Sequence, residues 1–405
     1  MSKQDVAAAG LDVEQMKSWR HAIHRQPELG FEEHATSALV AEQLRAWGYA
    51  VHSGIAVTGV VGVLQWGTGN GRRIGLRADM DAIPLQEMTG LPWASTVPGK
   101  MHGCGHDGHT AMLLGAARVL AERARDGRLP GSGTLVLIFQ PAEELGGGGG
   151  ARRMLEEGLF ERFPCDAIFG MHNFPGIAVG EVHVRPGAFM ASSDKVSIRF
   201  IGRGGHGGVP HLAVDPTLPA AATVLGLQSI VGRNVNPNRA AVVSVGRIAA
   251  GSAYNVIAER AEIELSVRAL DPAVRDVLEQ RIRELVEHQA RAYGCRSEIE
   301  YVRGYPVLLN AAAPTAFAVG VARKLFGEDN VVADAEPLTG SEDFAFLLEQ
   351  VPGCYVLVGN GDNGHADGRW AGGCMVHNPH YDFNDACLAV GARLWIGLVE
   401  QYFQN

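Results

Sequence analysis

The chain has 405 residues and a formal net charge of −9, with 46% hydrophobic and 20% charged residues. This composition is typical of a soluble globular protein and leaves room for one large domain and a smaller one. The negative charge and the lack of a basic run argue against nucleic acid as a partner. No apolar stretch approaches the roughly 18 residues that span a bilayer, and the N-terminus has no hydrophobic signal segment. We therefore predict a cytoplasmic protein without a membrane partner.

In chain order, the first part alternates helices and strands. Apolar periodicity predicts helices at 12–28, 32–47, 108–126 and 151–160, and strands at 57–67, 72–85, 133–144 and 165–175. This alternation is typical of an α/β layered sheet, in which ligands bind at the carboxyl ends of the strands. The candidate ligands named below fall at those ends or in the loops that follow.

The pattern changes near residue 185. Strands are predicted at 194–205, 239–251, 259–270 and 297–306, with helices at 214–233 and 273–294. This β-α-β-β-α-β order is that of a ferredoxin-like module. The helix and strand alternation then resumes near residue 310 and reaches the loop that carries His377. Because His377 must return to a site in the first part, we predict a catalytic domain of residues 1–186 and 306–405, interrupted by an inserted domain of residues 187–305.

Side chains that bind metals are scattered over most of the chain. They are Cys104, His106, Glu143, Glu144, His172 and His377. One thiol, three imidazoles and two adjacent carboxylates suit two divalent metal ions, with one carboxylate left for proton transfer. This combination predicts metal-assisted hydrolysis. The mixed donor set does not select among zinc, manganese, cobalt and nickel.

Other polar residues near these motifs are candidate site neighbours. Asp79 and Asp81 end a predicted strand and would orient the ligand histidines, whereas Asp107 would orient His106 or cap the helix that follows. Four further histidines are candidate neighbours: His102, His109, His365 and His380. The segment GRGGHG has the spacing of a dinucleotide-binding loop, but Val209-Pro210 follows instead of a helix. We expect its glycines to expose His206 at a loop tip.

Taken together, the motifs resemble those of the M20 metallopeptidase family. In order they are RADMDAIP, MHGCGHDGHT, QPAEE, GMHNFP, PGAFMASSD, GGHGGVPH, YNVIAERAE, SEDFAFLLEQVPG and VHNPHYDFND. The resemblance is strongest to the amidohydrolase branch, which contains hippurate hydrolases, N-acyl-amino-acid amidohydrolases and auxin-conjugate hydrolases. It implies a zinc-peptidase-like (phosphorylase/hydrolase-like) three-layer α/β catalytic domain with an inserted ferredoxin-like α+β lid. In this family the lid usually also dimerises, so we expect a homodimer or a dimer-based oligomer.

The resemblance also implies a role for each candidate residue. Cys104 is similar to the bridging thiolate of the family, and the remaining metal ligands would be His106, Glu144, His172 and His377. Glu143 resembles the general base, and His206 resembles the lid histidine that stabilises the oxyanion. Asn255 and Arg268 resemble the lid residues that hold the substrate carboxylate. The chain departs from the usual pattern at position 103, which is Gly instead of Ala, and at position 258, which is Ala instead of Pro.

The expected reaction is hydrolysis of an N-acyl amino acid to a carboxylic acid and a free amino acid. Three alternatives stay open from the sequence. A dipeptidase or carboxypeptidase of the same family would share every residue named above. A non-catalytic metal-binding or ligand-binding protein would be expected to lack Glu143 or some ligands. A thiol enzyme with Cys104 as its nucleophile would survive chelation.

Overall fold

A computed structural model describes residues 9–68, 71–361 and 374–404 of the chain. Its helices are α1 (Val13–Arg25), α2 (His34–Ala46), α3 (His106–Arg125), α4 (Gly150–Glu156), α5 (Leu159–Arg162), α6 (Thr217–Asn234), α7 (Pro272–Ala292), α8 (Ala312–Phe326), α9 (Phe344–Leu348) and α10 (Ala386–Gln404). Its strands are β1 (Ala50–Ile55), β2 (Gly59–Trp66), β3 (Arg72–Asp79), β4 (Gly133–Gln140), β5 (Ala167–Pro175), β6 (Val182–His183), β7 (Gly187–Met190), β8 (Asp194–Ile201), β9 (Gly205–His206), β10 (Ala241–Ala250), β11 (Val256–Ile257), β12 (Arg260–Ala269), β13 (Arg296–Arg303), β14 (Leu308–Asn310), β15 (Val331–Val332) and β16 (Gly353–Gly361).

The chain folds as two compact units. Unit 1 comprises Met1–Gly187, Leu309–Glu336 and Phe346–Asn405, and unit 2 comprises Ala188–Leu308 and Pro337–Ala345. Unit 1 contains the large sheet, whose strand order is β1-β2-β4-β3-β5-β16-β6-β15. Helices α3 and α10 pack against each other in its core. The predicted α/β fold class is confirmed.

The central strands of the large sheet place their carboxyl ends along one edge. Strands β3, β4, β5 and β16 are parallel. All eight residues of β4 are buried, as expected for a strand covered on both faces. Asp79 ends β3 and Gln140 ends β4, while His172 lies near the end of β5. The sequence pattern therefore brings the segments that follow these strands to a common edge.

Unit 2 contains a four-stranded antiparallel sheet of order β10-β12-β8-β13. Alternate residues of β12, such as Ile263 and Leu265, point into its core, as the period of a strand requires. Helix α7 has its N-cap at Asp271, whose side chain accepts a hydrogen bond from Ala273 N, and it buries Leu278 in the same core. With α6 and α7, the strands have the element order of a ferredoxin-like module.

Several elements of unit 1 are absent from the predicted pattern, among them β1 and α10. Strand β1 carries AVHSGI, and most of its side chains are exposed, so its apolar alternation is weak. Helix α10 is buried along most of its length in the core, so its apolar residues are not confined to one face. None of the helices in the described ranges combines the length and the apolarity needed to cross a membrane.

Candidate metal centre

The loop before α3 presents Cys104 and His106 from one tight turn. Gly105 between them has φ +97°, a conformation that favours glycine, and a Cβ there would clash with Asn173 and Tyr381. Gly103 is packed closely too, because a Cβ at this position would lie 2.8 Å from Ile83 Cδ1. The usual alanine at position 103 would therefore need Ile83 to move.

His172 approaches Cys104 from β5. Its Nε2 lies 3.3 Å from Cys104 Sγ, and its Nδ1 donates a hydrogen bond to the carbonyl oxygen of Asn173 at 2.6 Å. Burial lowers the pKa of His172 well below its usual range, with a further contribution from the charge of His109. The ring is therefore neutral, with the lone pair of Nε2 directed at the sulfur. A neutral imidazole whose other nitrogen donates to a carbonyl is the usual form of a metal ligand.

His106 is fully buried at the start of α3. Its Nδ1 donates to Asp81 Oδ1 at 3.1 Å, whereas its Nε2 has no hydrogen-bond partner among the described residues. Burial lowers the pKa of this ring, but the negative charges of Asp79 and Asp81 outweigh burial and raise it to about 10. The surrounding carboxylates thus favour a positive charge at a nitrogen that no protein group satisfies, which is the environment of a metal ligand.

Glu144 and His377 form the opposite side of the cluster. Glu144 Oε1 accepts a hydrogen bond from His377 Nε2 at 3.0 Å. Burial alone would raise the pKa of Glu144, but this hydrogen bond and the charge of His106 lower it. His377 has φ +64°, and its backbone N donates to Gly103 O at 2.7 Å. That bond ties the strained residue to the loop of Cys104.

The donor atoms fall into overlapping groups of metal-binding size, with the atoms of each group within 4.8 Å of one another. One group is Cys104, His106 and His172, and another is Cys104, Glu144 and His377. A further group joins His106 to Glu143 and Glu144. The sulfur belongs to two groups, and the orphaned Nε2 of His106 faces the same cluster. The donor set, in which one sulfur is common to two groups, therefore fits a pair of divalent cations.

The three acidic neighbours predicted from sequence make different contacts. Asp81 bonds to His106 and also accepts a hydrogen bond from Glu144 N at 2.9 Å. Asp79 makes no hydrogen bond to His106, whose Nε2 is 3.8 Å away; it binds His109 Nδ1 at 2.6 Å instead. Asp107 neither orients His106 nor caps α3, because the N-cap is Gly105 and no side chain bonds to it.

Asp107 belongs to a buried charge network behind the loop. Its Oδ2 accepts hydrogen bonds from Arg20 Nε at 2.9 Å and His24 Nδ1 at 2.8 Å. Arg20 also contacts Asp382 and Asp385. These charges lower the pKa of Asp107 against the effect of burial. The network fixes α1 to the start of α3, so it positions the loop and not one ring.

The candidate neighbour His109 joins a second buried network, which the sequence did not predict. Its Nε2 lies 2.8 Å from Asn173 Oδ1, and Asn173 Nδ2 donates to Tyr381 OH at 2.5 Å. Arg77 completes it by donating to Asp79 Oδ2 at 2.6 Å. The signal available in the sequence was spacing: His109 lies three residues after His106 on the same helix, so the two side chains are neighbours.

The remaining candidate histidines lie elsewhere. His102 is buried, with no hydrogen-bond partner for either ring nitrogen among the described residues. His380 Nδ1 lies 3.1 Å from Met88 O. His365 falls outside the residues that the structure describes.

The turn that carries Glu143 and Glu144 follows β4 directly. Ala142 is fully buried and adopts the left-handed conformation, with φ +53° and ψ +44°. Its backbone N donates to Glu33 Oε1 at 2.7 Å, and Glu33 Oε2 accepts from Thr58 Oγ1 at 2.5 Å. Burial, together with the charge of Asp81, raises the pKa of Glu33 to about 7. No pattern in the sequence indicated this contact.

The raised pKa of Glu33 predicts a pH-dependent loss of stability. The folded protein binds the proton of the Glu33 carboxyl group more tightly than the unfolded chain does. The stability that this proton contributes is fully present below the ordinary pKa of 4.5 and is lost as pH rises through about 7. From pH 5 to pH 8 the free energy of unfolding of the wild type should fall by about 2–3 kcal/mol relative to that of Glu33→Gln. Thermal unfolding of both metal-free proteins at the two pH values tests this. The exposed neighbour Glu32, changed to Gln, is the control. An equal difference at both pH values would contradict the prediction.

Three further candidate residues lie in unit 2. His206 is on β9, paired with Val256, and its Nδ1 accepts a hydrogen bond from Gly208 N at 2.9 Å. The neutral ring therefore carries its proton on Nε2, which suits a donor to an oxyanion. Asn255 and His206 both line one cavity of about 660 Å³ within this unit. Arg268 Nη1 donates to Ser341 Oγ at 2.9 Å, and no carboxylate pairs with it among the described residues.

Changing Asp81 to Ala should weaken metal binding about 10–100-fold, because Asp81 orients both the His106 ring and the Glu144 backbone. Equilibrium dialysis with quantification of bound metal measures the effect. Asp166→Ala is the control, since Asp166 is a partly exposed aspartate of the same unit that pairs with Arg73. Equal affinity in the Asp81 variant and the wild type would remove Asp81 from this role.

Comparisons with known proteins show what the sequence and the fold resemble. The sequence model of peptidase family M20/M25/M40 matches residues 75–401. The chain is 44% identical to a hippurate hydrolase of Campylobacter jejuni, over 95% of this chain and 96% of that protein. It is 39% identical to an N-acetyl-L-cysteine deacetylase of Bacillus subtilis, over 91% and 83% of the two chains. The solved structure of a Bacillus subtilis protein, described as a dinuclear metal binding peptidase from the M20 family, is also similar. It matches with a TM-score of 0.81 and 32% identity, over 97% of this chain and 98% of that chain.

Proposed function

This chain belongs to peptidase family M20/M25/M40, and on that premise we propose that it is a metal-dependent amidohydrolase of N-acyl amino acids. It cleaves the amide bond to release a carboxylic acid and a free amino acid. The observation that carries the proposal is the position of Cys104 in two groups of metal-binding side chains, with Glu143 in a third group beside them. The curated relatives supply the substrate class, because two of them are named for hippurate and N-acetyl-L-cysteine.

The proposed ligands of two divalent ions are Cys104, His106, Glu144, His172 and His377, and the Cys104 thiolate would be available to both ions. Zinc, manganese, cobalt and nickel each suit this donor set. Bound there, the ions would lower the pKa of an attacking water and polarise the amide carbonyl. The unpartnered Nε2 of His106 and the neutral ring of His172 support the assignment.

Glu143 is the proposed general base. Its carboxylate takes a proton from the attacking water and later gives that proton to the departing nitrogen. The neighbouring Glu144 bonds to His377 and lies next to Asp81, which leaves the two adjacent carboxylates with separate tasks. Asp79 supports the site indirectly, through His109.

Residues 187–305 are proposed to act as an inserted lid that binds the other end of the substrate. His206 would donate its Nε2 proton to the oxyanion, and Asn255 and Arg268 would hold the substrate carboxylate. The tautomer of His206 and the absence of an acidic partner for Arg268 among the described residues support these roles. Arg268→Met should therefore raise KM far more for an N-acyl amino acid than for its amide.

We also propose a cytoplasmic homodimer that associates through the lid. All six cysteines are free thiols in the structure, which suits a reducing compartment. Light scattering of the purified protein at several concentrations tests the oligomeric state.

The substrate class is tested with a panel on metal-loaded protein. The panel contains hippurate, N-acetyl-cysteine, other N-acyl amino acids and dipeptides, with amino-acid release as the readout. Release from N-acyl amino acids at a higher kcat/KM than from dipeptides supports the proposal. Preference for dipeptides would make the protein a dipeptidase, and no release with any metal would favour a binding protein.

A further inference from the structure

The turn that carries Glu143 and Glu144 is held from two sides by buried carboxylates. On one side Asp81 Oδ2 accepts from Glu144 N, and on the other side Glu33 Oε1 accepts from Ala142 N. We propose that Glu33 is a positioning residue that fixes the backbone in front of Glu143 and so aims the general base. This inference rests on the proposed function.

The backbone at Ala142 needs such support. A non-glycine residue in the left-handed region is strained and persists only where its surroundings enforce it. Ala142 is also anchored at its carbonyl, which accepts from Gly150 N at 2.9 Å. The backbone N–H and the carbonyl of Ala142 are thus both hydrogen-bonded, and the N–H depends on Glu33 for its acceptor.

The carboxylate of Glu33 does not cap the helix that follows it. Glu33 directly precedes α2, but the free amides of that helix are capped by a different side chain. Glu28 accepts from Ala35 N and Thr36 N, each at 2.9 Å, and from Thr36 Oγ1 at 3.0 Å. Glu33 is left to bridge Thr58 and Ala142, although it is fully buried and its ionised form is costly there.

The two carboxylates should therefore have separable effects. Asp81 holds Glu144 and His106, both proposed metal ligands, so its loss weakens metal binding. Glu33 holds the residue before Glu143, so its loss misplaces the base while Asp81 still holds Glu144. A shift of about 1 Å in a catalytic group can lower the rate about 100-fold.

The test compares Glu33→Met with Glu33→Gln. Methionine keeps the volume but cannot accept the Ala142 hydrogen bond, whereas glutamine keeps an acceptor of the same shape. Glu33→Met should lower kcat on the best panel substrate about 10–100-fold, with KM and bound metal close to wild type. Glu33→Gln should keep kcat within about 3-fold of wild type.

Glu28→Ala is the matched control, because it removes the side chain that caps the N-terminus of α2 and does not contact the turn of Glu143 and Glu144. It should lower Tm but leave kcat unchanged. If Glu33→Met retains wild-type kcat, or if Glu28→Ala loses kcat equally, the positioning role is overturned. Should Glu33→Met fail to fold, Thr58→Val removes the other anchor of Glu33, and a normal kcat in that variant would overturn the role as well.

Hydrogen exchange separates this inference from the proposed function. Exchange at the amides of residues 139–146 should speed up in Glu33→Met and stay slow in Glu33→Gln, whether or not the wild type hydrolyses any panel substrate. Unchanged exchange in Glu33→Met would overturn the inference on its own. An inactive wild type with faster exchange in Glu33→Met would instead overturn the proposed function.

Discussion

Replacing Glu143 by Gln is expected to lower kcat on N-acyl amino acids about 10²–10⁴-fold while bound metal stays at the wild-type level. Glutamine keeps the size of the side chain but cannot accept a proton. Glu143 is buried next to the donor groups of His106 and Glu144, so solvent does not readily replace it as a base. Steady-state kinetics and metal analysis of the same sample provide the measurement.

The adjacent residue supplies the contrast for this variant. Glu144→Gln should lose metal, because Glu144 is a proposed ligand and bonds to His377. Equal metal content and activity in Glu143→Gln and the wild type would remove Glu143 from the base role. Loss of metal in Glu143→Gln would make it a ligand.

Replacing Cys104 by Ala is expected to weaken metal binding at least about 100-fold and to abolish activity at limiting metal. The sulfur is shared by two donor groups, so its loss affects both ions. Burial and the charges of Glu144 and Glu143 raise the pKa of the Cys104 thiol well above its usual range. A bound cation must therefore displace its proton, and metal affinity should rise with pH.

Cys354→Ala serves as the control for that change, since Cys354 is a fully buried free thiol on β16, in the core of the same unit. It should keep metal binding. Full metal occupancy in Cys104→Ala would contradict the bridging role. Loss of activity in Cys104→Ala with full occupancy, combined with resistance of the wild type to chelation, would instead indicate a thiol nucleophile.

Much of the fold and the composition of the metal centre could be predicted because they depend on local patterns. The apolar run of β4 and the helix after the Cys104 loop are read from periodicity. Parallel strands then bring the segments after β3, β4 and β5 to one edge, which places His106, Glu144 and His172 together. The family resemblance assigned the same residues.

Apart from the bond between Asp81 and His106, the supporting contacts could not be predicted, because they join residues distant in the sequence. Asp107 was expected to serve His106, its neighbour, but it bonds to Arg20 and His24, which are 87 and 83 residues away. The contact between Glu33 and Ala142 spans 109 residues. Buried ion pairs and backbone acceptors have no period, so only the packed structure identifies their partners.

We propose that Cys104 and its neighbours hold a pair of catalytic metal ions. The most direct test is to strip the protein with a chelator and titrate manganese, zinc, cobalt or nickel back while measuring hippurate hydrolysis. We predict that activity vanishes on stripping and returns with at least one metal, reaching a plateau near two ions per chain. Full activity in the stripped protein would contradict the claim.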